Sequence, residues 1–436
     1  MALGGGSFTT QNKDLPGSYI NFISMMAASA TLSDRGIATV PFELDWGVEG
    51  DIFEVSNEDF QKNTMKIFGY PYDHEKMKGL RDLFIGTKTL YAYRLNGGGA
   101  KASNTYATAI YSGVRGNDLK IVIQTNVDDE TKYDVITYLG TVKVDTQTVA
   151  KASELVANDY VVFKTDAALA VTASTPLEGG TNGEVTGDSW SAYITAIEPY
   201  AYNTMGIPST EESIKKMFAS FNKRMRDEMG IKFQLVLYNY AEADYFGVIS
   251  VENKTTDNGW SEASLVYWVT GVEAGCEVNK SCENMKYDGE FTVDTKYTQT
   301  QLKQFIKEGK FVLHRVYSDI RVLMDINTMV TTTDVCGDVF KDNQTIRVID
   351  QLANDDAVLF NTKYLGLVPN TPSGRVSLWS DLVKIRKSLQ DMGAIENFAD
   401  SDVSVTQGNT KKSVVVTDGI QVVNTMNKLY MTTTVQ

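Results

Sequence analysis

The stretch "ESIKKMFASFNKRMRDEMGIKFQLVLYNY" constrains the fold of this chain more than any other. Its first part sets Ile214, Met217, Phe218, Phe221, Met225 and Met229 at helical spacing, an apolar face that Gly230 closes with a left-handed cap. Just upstream, Ser209 and Glu212 have the spacing of a capping box, in which each side chain satisfies an orphan N–H at the helix end. "IKFQLVLYNY" is then a strongly apolar strand. With "AYITAIEPY" read as the strand before the helix, the three elements form a β-α-β unit, which builds a parallel sheet through a right-handed crossover. The helix "SEASLVYWVTGVEAG" and the strands "KFVLHRVY" and "IRVLMDI" continue this domain to about Met329.

At 436 residues the chain is long enough for two to three domains. The α/β part begins earlier, with a strand at "GIATVPFELDWG" and two short helices. The second helix is "DHEKMKGLRDLF", with Met77, Leu80 and Leu83 or Phe84 at helical spacing, and the strand "TLYAYRLN" follows. From about Gly97 to Trp190 the texture changes to Thr, Val, Asp, Gly and Asn. Short strands such as "LKIVIQTN", "YDVITYLGTVKV" and "DYVVFKT" are separated by frequent turn signals, the pattern of an inserted all-β domain. The expected division is an α/β middle domain over 25–96 and 190–330, interrupted by the β domain over 97–189.

Residues 331–419 read as a small α+β domain. "NQTIRVIDQLANDDAVLFNTKYLG" and "GRVSLWSDLVKIRKSLQDMGAI" are helices around a "VPNTPSG" turn, the second with Leu378, Leu382, Ile385, Leu389 and Met392 as a buried stripe. The strands "DVSVTQG" and "KKSVVVTDGI" come after. Both ends of the sequence also read as strands. "SYINFIS" follows Pro16-Gly17, and in "NKLYMTTTVQ" the residues Leu429, Met431 and Val435 alternate with Tyr430, Thr432 and Thr434. Each such strand needs a partner sheet, and periodicity alone leaves open which sheet that is.

Little in the chain speaks for catalysis. The fragment "NGGGAKA" places Gly97, Gly99 and Ala102 in the outline of a dinucleotide fingerprint, yet the following "KASNTYATAIYSG" lacks helical character, and a linker is the better reading. The two histidines, His74 and His314, accompany no G-x-S-x-G elbow and read as structural. Three cysteines make neither a disulfide framework nor a zinc spacing, and Cys276 and Cys282 read as ordinary small thiols. Asp128-Asp129-Glu130 and Asp355-Asp356 read as solvated charge, the latter pair on the outer face of a helix. No catalytic, cofactor-binding or metal-binding residues are expected, and no cofactor. A net charge of −14 opposes phosphate-driven nucleic-acid binding, and 22 tyrosines suit broad protein–protein contact. No apolar run reaches bilayer length, and the N-terminus carries neither a basic nor an apolar signal region, so cytoplasmic synthesis without membrane insertion is expected.

Several strings, taken in order along nearly the whole chain, resemble the contractile tail sheath proteins of bacteriophages and phage-tail-like bacteriocins. They are "LPGSYINF", "SGVRGNDLKI", "PLEGGTNG", "NQTIRVIDQLANDDAVLFNTKYLG", "GAIENF" and "NKLYMTTTVQ". The resemblance is strongest to sheaths of Gram-positive phages and defective phages. It implies a non-catalytic, subtilisin-like middle domain. It also implies subunits stacked as hexameric rings around an inner tube, assembled in a metastable extended state and contracting to drive the tube through an envelope. The implied partners are further copies of the chain, the tail tube protein, and baseplate and terminator proteins.

The resemblance further implies exchange of terminal strands between subunits. The donors are arms over 1–24, through Gly17, Tyr19, Ile20 and Phe22, and over 420–436, through Leu429, Tyr430, Met431 and Val435. The acceptors are edges carrying Val403, Val405, Val414 and Val416. An exposed edge is a hazard alone, whereas an added strand satisfies its backbone groups. Lys384, Arg386 and Lys387 on "DLVKIRKSL" are the candidates for tube attachment. Two alternatives stand beside this reading: an α/β hydrolase with a β-rich accessory domain, and a surface-array or adhesin-like assembly protein.

Overall fold

A computed structural model describes residues 35–435, which divide into a large unit (35–350 with 423–435) and a small one (351–422). The donor residues Gly17, Tyr19, Ile20 and Phe22 lie outside the described part.

The large unit opens with strands β1 (Ile37–Phe42), β2 (Phe53–Ser56) and β3 (Thr89–Arg94), with helices α1 (Asn57–Lys62), α2 (Thr64–Phe68) and α3 (Lys78–Phe84) before β3. The strands β4 (Ala107–Ala109), β5 (Leu119–Thr125), β6 (Tyr133–Leu139), β7 (Val142–Val149), β8 (Val161–Phe163) and β9 (Thr172–Pro176) follow. Next come α4 (Gly187–Ile197), β10 (Thr204–Ile207), α5 (Glu212–Arg224), β11 (Gln234–Tyr238), β12 (Val248–Val251), α6 (Leu265–Gly275), α7 (Gln299–Lys307), β13 (Lys310–Phe311), β14 (Leu313–Val316) and β15 (Asp319–Val322). Helix α8 (Asn343–Leu359) begins in the large unit and ends in the small one, which adds α9 (Pro372–Asp391), β16 (Ile395–Glu396), β17 (Ser404–Gln407), β18 (Val414–Thr417) and β19 (Gln421–Val422).

Seven strands form the central sheet, in the order β13-β12-β11-β10-β1-β3-β2. All pair in parallel except β2, which runs antiparallel to β3. β10, β11 and β12 are buried at every position, as parallel strands covered on both faces must be. Helix α6 is apolar nearly all round and buried along almost its whole length. It approaches the last turn of α3 so closely that a Cβ on Gly271 would stand 2.1 Å from the Leu83 carbonyl oxygen, so only glycine fits there.

The segment between β3 and α4 is all-β, as its texture predicts. β7, β6, β5 and β9 form an antiparallel sheet and β4 pairs with β8. Leu119, Ile121 and Ile123 alternate inward with zero exposure, the period of a half-buried strand. "YDVITYLGTVKV" is a hairpin rather than one strand. Gly140, at φ 62°, takes the left-handed position that turns β6 into β7.

Other expectations need correcting. "AYITAIEPY" belongs to helix α4, where Tyr193 and Ile197, four apart, are its buried residues; the strand that starts the β-α-β unit is the four-residue β10. Helix α5 starts from Glu211 without a side-chain cap, because the Ser209 hydroxyl accepts instead from the Glu211 N–H (3.1 Å). After Arg224 the helix widens into a π turn over Met225–Met229, which rotates Met229 out to 56% exposure. Met392, placed in the buried stripe of α9, is 40% exposed beyond the helix end. Asp355 is buried, and Asp356 grips the buried Arg386, so that acidic pair is structural rather than solvated.

Candidate assembly interface

The small unit carries two short antiparallel pairs, β17–β18 and β16–β19, and each strand has a single neighbour among the described residues. In the first, Val405 faces Val416 and Gln407 faces Val414, while Val403, just before β17, is 3% exposed. Helix α9 fixes this hairpin from below: the Trp379 indole N–H donates to the Val403 carbonyl (2.9 Å). Arg386, nearly inaccessible, clamps Asp356 with two 2.6 Å bonds and reaches Asp418, one residue past β18, at 2.7 Å. Such paired charge-assisted bonds fix geometry as well as attraction. A hollow beside the hairpin, of about 100 Å³, is lined by Tyr364, Leu365, Val368, Leu378 and Val414.

Arg386 is therefore occupied, and the basic stripe proposed for tube contact loses its central member. Lys384 and Lys387 remain on the surface, beside Asp381 at 3.5 Å and Asp400 at 2.8 Å.

The C-terminal segment belongs to the large unit, and its root is held by the first turn of α8. The buried Gln344 acts there as a surrogate peptide group. Its Nε2 donates to the Val423 carbonyl (3.1 Å), and its Oε1 accepts from the Thr425 N–H (3.0 Å). Thr345 and Asn424 are joined through their side chains (3.2 Å), and the Asn427 side chain reaches Glu283. Beyond that, residues 428–435 form neither strand nor helix and make no backbone hydrogen bond among the described residues. Leu429, Tyr430, Met431 and Val435 are 77–89% exposed. The sequence reads as a strand here, and the segment is an unpaired length of chain. Burying four such side chains is worth roughly 1.5–3 kcal/mol each, a driving force no part of the described chain receives. The sequence hides the Gln344 contact: "NQT" is a polar trio at a helix start, and nothing in it signals that all three residues are buried.

A metal is the other tenant to consider. Glu273, Cys282 and Asp325 converge with ligand atoms within 4.8 Å of one another, all buried. The cation there is Arg347, fully buried, whose Nη2 stands 2.6 Å from Glu273 and 3.3 Å from Asp325 and within 3.9 Å of the Cys282 sulfur. Burial and then the Asp325 charge push the Glu273 carboxyl well above its usual range. Burial works to raise Asp325 too, but Arg347 and its hydrogen-bond donors outweigh it and hold Asp325 low. The guanidinium thus fills the place a divalent ion would take, and the knot ties α6, the segment after β15 and α8 together. Cys276 and Cys282 are both buried; Cys276 is lowered to about 7, chiefly by its hydrogen bond to Cys282.

The features weighed for catalysis are not assembled. No helix follows Gly97, Gly99 and Ala102. The His74 Nδ1 accepts the Lys76 N–H (3.2 Å) and its ring stacks on Tyr70, while His314 sits in β14; neither ring hydrogen-bonds a serine, threonine or thiol among the described residues. No described helix is long and apolar enough to cross a membrane.

Comparison with known proteins places these features. Residues 96–182 match the phage tail sheath protein beta-sandwich domain, 183–328 the phage tail sheath protein central domain, and 337–436 the phage tail sheath C-terminal domain. The phage-like element PBSX protein XkdK of Bacillus subtilis is 30% identical, over 98% of this chain and 99% of its own length. The crystal structure of the sheath tail protein of Desulfitobacterium hafniense, 35% identical, superposes with a TM-score of 0.81 over 95% of this chain and 99% of the other. The helical sheath of the anti-feeding prophage in its contracted state shares the fold at 13% identity, with a TM-score of 0.59 over 97% of this chain and 99% of the other.

Proposed function

This chain belongs to the phage tail sheath family, and from that premise we propose that it polymerises around an inner tail tube by lending its C-terminal segment to the small unit of a neighbouring copy. Its role is structural, as a component of a phage tail or phage-tail-like sheath, and not enzymatic. The finer reading is as follows. Copies form stacked hexameric rings, assemble in a metastable extended state and contract, and the energy resides in the assembled conformation. The α/β part has a subtilisin-like fold without protease machinery, residues 97–189 form the outer β domain, and 331–419 form the inner domain. The tube, the baseplate and the tail terminator are the other partners, with Lys384 and Lys387 as the remaining surface cations for tube contact.

One observation carries the strand-lending step: an apolar segment that alternates as a strand, is anchored at its root by Gln344 and is unpaired beyond it. The single-neighbour strands of the small unit supply matching backbone groups, and strand addition satisfies both at once. Removing the chain after Asn427 tests it. The expected product is a folded monomer that forms no striated sheath with tube protein in negative-stain micrographs. Normal polymerisation of the truncated protein would reject the strand-lending account.

A further inference from the structure

The central sheet has a topological switch point between β1 and β10. The chain moves from β1 toward β3 on one side and from β10 toward β11 on the other. Loops leaving the carboxyl ends of such strands diverge and leave a crevice, the usual place for a ligand in an open α/β sheet. Here it has a volume of about 530 Å³, at the ends of β1, β3 and β10. Trp190 of α4, Trp260 before α6 and Tyr267 within it supply aromatic surface, and Glu43 and Glu211 supply carboxylates. A second hollow of about 440 Å³ shares Glu43 and Trp260.

The balance of groups is lopsided. Among the described residues no Lys, Arg or His lines the crevice at the switch point. Glu43 and Glu211 are both exposed, and neither has an ion pair or a side-chain hydrogen bond among the described residues. Glu211 stands at the start of α5, where the helix dipole offsets part of its charge, and the Glu43 charge acts on the Tyr267 phenol. Unpaired carboxylate next to aromatic faces attracts a positive charge carried on a carbon frame, through Coulomb and cation–π attraction together.

We propose that this crevice binds an organic cation, an alkylammonium or guanidinium group, seated between Glu43 and the faces of Trp190, Trp260 and Tyr267. Such a group could be a free amine or a basic side chain of another copy, and the site recognises the charge and shape common to both. Choline and N-acetyl-arginine amide are the probes, followed by tryptophan fluorescence on the unassembled full-length protein. Saturable quenching is expected with both, and the neutral isostere 3,3-dimethyl-1-butanol should bind at least tenfold more weakly. Glu43→Gln, an exposed and fold-neutral change, should weaken the cations about tenfold and leave the isostere unchanged. Equal binding of cation and isostere, indifference to Glu43→Gln, or no binding of either cation would overturn the proposal. Repeating the titration on assembled particles assigns the source: loss of choline binding points to a neighbour's side chain, and retention points to a free ligand.

Discussion

Within the central sheet the five inner strands have neighbours on both edges, and the sheet ends in the short strands β13 and β2. In the small unit every strand has one neighbour among the described residues, and none exceeds four residues. The first arrangement consumes its own hydrogen-bonding capacity along the five inner strands and leaves edges only at β13 and β2 among the described residues. A two-stranded pair is marginal alone, so the second is stable only when braced. The small unit braces it with Trp379 and Arg386, and among the described residues no further strand pairs with either edge. One region pairs most of its described strands within itself, whereas the other, under the strand-lending proposal, is completed by a neighbouring copy.

The sharpest way to break this contrast is the truncation after Asn427, which should abolish assembly while the central sheet melts as before. Next in size is Arg347→Met, which strands buried carboxylate in the large unit. A loss of about 3–5 kcal/mol in urea unfolding is expected, and a loss under 1 kcal/mol would mean that the knot does not support the sheet.

Asp82 gives a smaller, pH-dependent effect. Burial raises its carboxyl to about 6 from an ordinary 3.8. The folded state therefore holds this proton more tightly than the unfolded one, and stability is lost as pH rises from about 4 to about 6. Asp82→Asn should flatten that slope by about 2–3 kcal/mol across the window, as read from melts at pH 4, 5, 6 and 7. The slightest effect belongs to Gln344→Ala. It frees the Val423 carbonyl and the Thr425 N–H, worth about 1–2 kcal/mol locally, so amide exchange at Thr425 should quicken about tenfold while β11 keeps its protection. Unchanged exchange at Thr425 would show that the root is held by something else.

The large features of the fold are legible in the sequence because they rest on periodicity. α5, β11, α6 and the alternating strands of the β domain carry strong 3.6- or 2-residue patterns. The failures fall where another force outweighs the pattern. "AYITAIEPY" alternates well enough for a strand, but its residues Tyr193 and Ile197 pack four apart into the core of α5 and β10, so tertiary contact decides for helix. β10 itself is four residues long and includes a glycine, too little for a period to show. At the interface, the apolar alternation of 429–435 is readable, whereas its anchor is not. Gln344 and Arg386 owe their roles to partners 79 and 30 or more residues away in sequence, which spacing arguments do not reach.

The Gln344 contact also sets a leash. Ten described residues lie beyond Thr425, and a fully extended chain spans at most about 3.3–3.6 Å per residue. Residue 435 therefore travels no more than about 35 Å from this tether. Under the strand-lending proposal, a subunit that receives it must stay inside that radius however the two bodies turn. A rearrangement that keeps within the leash can proceed without letting go, and one that exceeds it must either strip the strand out or pull the root from its carboxamide.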